Sequence, residues 1–149
     1  PDSEALASHV QLLDEFLFQE HQKGQLKLPL RKISQEKIWV HGHCHQKAAN
    51  ATGSTLGILQ TIPGLEVELI PSSCCGMAGS FGYESENYEI SMKMAELSLL
   101  PKIRTLDQNH GIVACGTSCR QQIQHGSGKS AMHTAQILRQ AISDASSIN

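Results

Sequence analysis

Three short apolar runs, Lys37-Ile-Trp-Val-His41, Leu65-Glu-Val-Glu-Leu-Ile70 and Gly111-Ile-Val-Ala114, each lead within a few residues to cysteine. The clusters that follow them are His41-Gly-His43-Cys44-His45, Cys74-Cys75-Gly76 and Cys115-Gly-Thr-Ser-Cys119. Each cluster is in turn followed by residues with helical spacing. Strand, site and helix repeated three times argue for an α/β chain with a parallel sheet. Right-handed crossovers bring all three strand ends to one edge, where open α/β sheets hold their ligands. The expected architecture is a small parallel sheet of about three to four strands with flanking helices, the cysteine clusters lying at the C-terminal strand ends.

The remaining elements follow from periodicity. Leu6, Val10, Leu13, Phe16 and Leu17 predict a helix over 3–20 with Ser3 as its N-cap. A polar, lysine-rich stretch over 22–36 predicts a loop with one short extended piece. A helix is expected over 46–61, closed by Pro63-Gly64. A glycine turn follows the second cysteine cluster at Gly76, Gly79 and Gly82. Residues 88–106 read as a helix with Ile90, Met94, Leu97 and Leu100 on one face and a kink or break at Pro101. A helical turn is expected over 118–124, and an amphipathic helix over 131–142, entered near His133. With 149 residues the whole chain fits one domain, its N-terminal helix and loop at 1–36 and its core at 37–145. The abrupt start, Pro1-Asp-Ser-Glu, reads as that of a fragment of a larger polypeptide.

Five cysteines is an odd number in a chain of this size, which makes a disulfide framework a poor explanation and metal or redox chemistry a better one. A formal net charge of -2 and few aromatic residues provide no footprint for nucleic acid. No apolar run approaches the roughly 20 residues of a transmembrane helix. Thiolates suit iron–sulfur clusters and zinc, and either centre takes about four protein ligands. Cys44, Cys74, Cys75 and Cys119 supply four, with Cys115 as a fifth or an alternate. Adjacent cysteines point to opposite faces of extended backbone, so Cys74 and Cys75 need a turn, helped by Gly76, or two metal atoms to bind. Of His41, His43 and His45, at most one is expected to ligate; the others cap helices or tune the centre. His133 reads as a cap or packing residue. The glycine spacing is not that of a phosphate loop.

Gly42-His-Cys-His-Gln-Lys-Ala48, Ser73-Cys-Cys-Gly-Met-Ala-Gly-Ser-Phe-Gly-Tyr-Glu84 and Gly116-Thr-Ser-Cys-Arg-Gln-Gln-Ile123 resemble the cysteine-rich CCG domain. This domain occurs in heterodisulfide reductase subunits, in iron–sulfur subunits of glycolate and glycerol-3-phosphate oxidases, and in lactate-utilisation proteins. The chain is most similar to the C-terminal part of large bacterial FAD-linked oxidases. The resemblance implies an electron-transfer domain carrying an iron–sulfur centre within an FAD-linked 2-hydroxy-acid oxidoreductase of the D-lactate or glycolate type. By position it implies metal ligation by Cys44, Cys74, Cys75 and Cys119. The family's other cysteine falls on Gly116, with Cys115 one residue earlier. A 4Fe-4S cubane, a zinc ion or a vacant site all remain open.

On the same reading Gly76 and Gly79 cover the centre, and His43, His45 and Arg120 tune the charge near it. FAD is expected on a part of the polypeptide outside this chain. The implied partners are a flavin domain, a ferredoxin-like segment and a downstream electron acceptor, with no nucleic acid and no transmembrane segment. The expected location is cytoplasmic or, through partners, peripheral to the inner membrane. The chain itself is not expected to be catalytic alone. Two rivals stand: a structural zinc module serving as a docking domain, and a thiol–disulfide catalyst, which lacks the Cys-x-x-Cys spacing that tunes such sites.

Overall fold

The computed structural model describes residues 2–7 and 9–142. All three expected strands form: β1 (Lys37–His41), β2 (Glu66–Leu69) and β3 (His110–Ala114), in the order β2-β1-β3. Both pairings are parallel, with Ile38 opposite Val67 on one side and opposite Gly111 on the other. Among the described residues eight α-helices accompany them: α1 (Asp2–Ala7), α2 (Leu13–Gln22), α3 (Cys44–Ala48), α4 (Thr52–Gln60), α5 (Tyr88–Glu96), α6 (Leu99–Arg104), α7 (Thr117–Ser127) and α8 (Thr134–Ile142). Among the described residues no helix is long and apolar enough to cross a membrane.

The alternation of side chains along a strand divides the core in two. Ile38, Val40, Val67 and Val113 pack with Ile58 and Leu59 of α4 and with Ile137, Leu138 and Ala141 of α8. On the other face Ile112, Ala114 and Ile70 pack with Leu99 and Ile103 of α6 and Ile123 of α7. Helices on both faces of a parallel sheet complete an α/β sandwich. Cys75 and Cys119 belong to the second core, so ordinary hydrophobic packing places two of the thiols. On β2 the expected stripe of Leu65, Val67 and Leu69 buries Val67 alone. Leu69 is exposed and Ile70 takes the next core position, because β2 is an edge strand whose two faces are unequally covered.

Three of the expected helices need correction. The helix expected over 3–20 is two helices, and Ser3 lies inside α1 rather than capping it. Leu12 is extended and its N–H donates to the Glu15 carboxylate, which starts a new helix there. Leu6, Val10, Leu13 and Phe16 are consequently exposed, while Leu17 and Phe18 pack on the core. The helix expected over 46–61 begins earlier, at Cys44, and is interrupted at Asn50, whose φ of 54° is left-handed, a conformation Asn tolerates better than most residues. The segment 88–106 breaks at Leu97 and Ser98, placing Pro101 in the first turn of α6, where its missing N–H leaves no bond unmade. On α5 the buried residues are Ser91 and Ala95, whereas Ile90 and Leu97 are exposed. The glycine turn approaches this helix so closely that only small side chains fit between them.

Of the loop expected over 22–36, Gln22 closes α2, and residues 23–36 hold neither a helix nor the short extended piece as a strand. Helix α7 outlasts the single turn expected, and α8 begins at Thr134, after Met132 has bridged to Val113 alongside β3. Residues 143–145 of the expected core lie outside the described residues.

Candidate metal centre

Each strand end delivers its cysteines by a different local device. After β1, His43 occupies the N-cap position of α3: its Nδ1 accepts the His45 N–H at 3.2 Å, and its own N–H donates to Gln46 Oε1 at 3.0 Å. This capping box makes Cys44 the first residue of the helix. After β2 the chain runs through Ser72 and Ser73 to Cys74 and Cys75, then reverses at Gly76, where φ is +89°. The Gly76 N–H donates to Cys74 Sγ at 3.3 Å. After β3, Gly116 caps α7 and Cys119 lies in the first turn of that helix, almost fully buried.

These devices bring together His41, Cys75 and Cys119, whose donor atoms all lie within 4.8 Å of one another. Cys119 Sγ is 3.2 Å from Cys75 Sγ. His41 is 1% exposed; its Nδ1 is 2.8 Å from Ser72 Oγ, and its buried Nε2 has no hydrogen-bond partner. An orphaned imidazole nitrogen beside two close sulfurs is the donor chemistry of a soft or borderline metal. Cys44 and Cys74 flank this group and interact with each other. Burial, and then the Cys74 thiol, push Cys44 above the ordinary thiol range.

Cys115 is placed elsewhere. Its Sγ lies 3.3 Å from Asp14 Oδ2 and 3.3 Å from Thr134 Oγ1, in a buried polar knot that Thr55 completes. The structure therefore groups four of the five cysteines and sets Cys115 apart on Asp14. A Cβ at Gly116 would lie 2.5 Å from His43 Cδ2 and 3.1 Å from Cys119 Sγ. That position faces the centre, and the His43 ring occupies the space a side chain there would need. His43 and His45 stack edge to face at the start of α3, and burial, then His45, hold His43 below its ordinary value. Arg120 donates to the carbonyl oxygens of Ala114 at 2.9 Å and Cys115 at 2.7 Å, locking the end of β3 to α7. Gly79, at φ +70°, has open space where a Cβ would stand. His133 caps α8, its Nδ1 accepting the Ala135 N–H.

The sequence leaves at most one of His41, His43 and His45 as a ligand without saying which, and the structure sets His41 beside Cys75 and Cys119. The signal was available: His41 is the last residue of a buried central strand, where a histidine finds no solvent. Sequence reasoning missed Gln122. It donates to the Ser91 carbonyl at 3.3 Å and hydroxyl at 3.0 Å, and Ser91 Oγ in turn contacts Met77 Sδ, so it braces the loop behind Cys75.

The close sulfur pair shares a proton. The Cys119 S–H donates to Cys75 and, with His41 and the Met77 N–H contributing against the cost of burial, lowers Cys75 to about 4. The same bond, with burial, raises Cys119 far above the thiol range. Unfolded thiols keep their protons to about pH 8.5. From about pH 4 up to there the folded chain binds one proton fewer than the unfolded one, so stability rises with pH; above that window the unfolded chain sheds both protons and stability falls. In urea titrations under reductant, the metal-free chain is expected to unfold at a higher midpoint near pH 8 than near pH 5.5. The difference is expected to shrink in Cys119→Ala.

No family model matches the chain, and no solved structure does. Curated proteins do. Over 143 residues the chain is 29% identical to a subunit of the anaerobic glycerol-3-phosphate dehydrogenase of Escherichia coli K12, a match covering 95% of this chain and 35% of that subunit. It is 33% identical over 116 residues to the D-2-hydroxyglutarate dehydrogenase of the same strain, covering 76% of this chain and 11% of that enzyme. Over 137 residues it is 33% identical to the D-2-hydroxyglutarate dehydrogenase of Pantoea ananatis, covering 90% of this chain and 13% of the enzyme. The chain thus spans about a third of the length of the first of these proteins and little more than a tenth of the other two, and these three relatives are dehydrogenases of two kinds.

Proposed function

We propose that the chain is an electron-transfer domain that holds an iron–sulfur centre within an FAD-linked 2-hydroxy-acid oxidoreductase. The observation that carries this reading is the convergence of His41, Cys75 and Cys119, with Cys44 and Cys74 beside them, at the C-terminal edge of the sheet. The comparisons lend support of a different kind. A segment common to dehydrogenases named for glycerol-3-phosphate and for D-2-hydroxyglutarate does not select between those substrates. It serves what such enzymes share, which is the removal of electrons.

The residues divide the work by their chemistry. Cys75, already a thiolate at neutral pH, offers a charged sulfur without first losing a proton, and Cys119 gives up its proton when a metal replaces it. Cys44 and Cys74 complete a four-thiolate set, and the His41 imidazole supplies a nitrogen at the same place. Ser72 fixes the His41 ring through Nδ1 and so orients Nε2. The Gly76 turn shields the sulfurs from water. When bound, an iron–sulfur centre stores and passes single electrons; the hydride chemistry belongs to FAD on another part of the polypeptide. The domain works with a flavin domain, a ferredoxin-like segment and a downstream acceptor, in the cytoplasm or against the inner membrane through those partners.

The mixed thiolate and imidazole donors also suit zinc, and a structural zinc module is the rival they favour. Protein purified without oxygen and assayed for iron, acid-labile sulfide, zinc and visible absorbance decides between them. Iron with matching sulfide and a brown absorbance is expected. Stoichiometric zinc in a colourless protein would replace the electron-transfer reading with a docking one.

A further inference from the structure

Lys47 has no part in the ligand set, yet it touches two of the segments that carry it. It lies on α3 three residues after Cys44. Its stem crosses Gly42, where an added Cβ would come within 3.2 Å of Lys47 Cε and 3.4 Å of Cγ. Beyond that crossing, Nζ donates to the carbonyl oxygens of Ser72 and, at 2.6 Å, of Ser73. Ser73 immediately precedes Cys74, and Ser72 holds the His41 ring. One ammonium therefore joins the segment after β1 to the segment after β2. Its partners are backbone carbonyls, which carry no net charge, so the ammonium's positive charge stays uncancelled at the backbone that leads directly into Cys74.

Resting on the metal-centre reading above, we propose that Lys47 is a positioning residue of that centre. It clamps the Cys74–Cys75 segment against α3, and its charge favours the reduced state of the occupant. The electrostatic half follows from Coulomb's law. Each electron taken up adds negative charge at the sulfurs, and a cation held close by stabilises the more negative state, most strongly where water is excluded. Arg120 offers a contrast, since its bonds lie within the β3–α7 junction and join no second cysteine segment.

The test compares the full chain with Lys47→Met, which keeps the stem and removes the charge, and with Lys47→Arg, which keeps both charge and donors. After anaerobic loading with iron and sulfide, Lys47→Met is expected to show a reduction equilibrium shifted about tenfold toward the oxidised state, about 59 mV for one electron. In the metal-free chain under reductant, Cys74 is expected to be alkylated by iodoacetamide several-fold faster in Lys47→Met. Lys47→Arg is expected to restore both values. Equal potentials and equal alkylation rates in wild type and Lys47→Met would overturn the proposal. A wild type that takes up no iron would remove the metal-centre reading instead, and the alkylation rates alone would then decide the clamp. Should Lys47→Met fail to fold, Lys47→Gln, which keeps donors without charge, carries the same comparison.

Discussion

Replacing Cys75 with serine will lower iron bound per chain by more than about tenfold, while Cys115→Ser will leave it within about twofold of wild type. The two variants make the same chemical change to two cysteines of one chain, so their difference isolates position. Cys75 Sγ lies 3.2 Å from Cys119 and within reach of His41, and it is the sulfur that carries charge at neutral pH. A serine hydroxyl there is harder, shorter and protonated, and leaves Cys119 without the partner that holds its proton. Cys115 instead bonds Asp14 and Thr134, a network in which a hydroxyl serves nearly as well as a thiol. Iron and sulfide analysis on anaerobically prepared protein measures both. Full stoichiometry in Cys75→Ser would sink the assignment of the centre. Loss of iron in Cys115→Ser would mean that all five cysteines act together despite the distance between Cys115 and the rest.

That contrast also marks how far the sequence could be read. The three strands were legible because each is a compact apolar run, and parallel connection through helices forced their ends to one edge. The cysteine at the head of each following segment was therefore legible as well. Spacing alone could not say which way a side chain turns once the strand ends. Cys115 follows β3 directly and turns toward Asp14, a residue about a hundred positions earlier whose burial no local pattern announces. His43 and His45 flank Cys44 in the sequence, yet the capping box that starts α3 commits His43 Nδ1 to backbone, and among the described residues it is His41 that has a buried ring nitrogen without a partner. The helix breaks were hidden for a related reason. Asn50 and Ser98 interrupt runs whose apolar spacing continues across them, and the α5 face follows the close approach of a glycine turn rather than the position of its largest residues.

The glycine turn itself offers the second large effect, through two residues that the sequence treats alike. Gly76→Ala is expected to destabilise the metal-free chain by more than about 3 kcal/mol, whereas Gly79→Ala costs about 1 kcal/mol. Both glycines adopt left-handed backbone, φ +89° and +70°, so the conformational penalty of a Cβ applies to each. They differ in what the methyl group meets. At Gly79 it enters open space. At Gly76 it collides with the Ser91 carbonyl, on the completely buried face of α5, and stands 3.3 Å from Gln122 Nε2, which bonds that same carbonyl. A backbone oxygen cannot swing aside as a side chain can, so either α5 withdraws or the turn opens. Either movement pulls Cys75 away from Cys119, because only Gly76 separates Cys75 from Met77, which packs against Ser91. Iron uptake in Gly76→Ala is therefore expected to fall even under conditions where the variant is fully folded, and in Gly79→Ala to stay near wild type. Urea unfolding of the metal-free proteins and iron analysis of the loaded ones measure the two effects separately. Equal costs at the two positions would show that the turn does not depend on contact with α5.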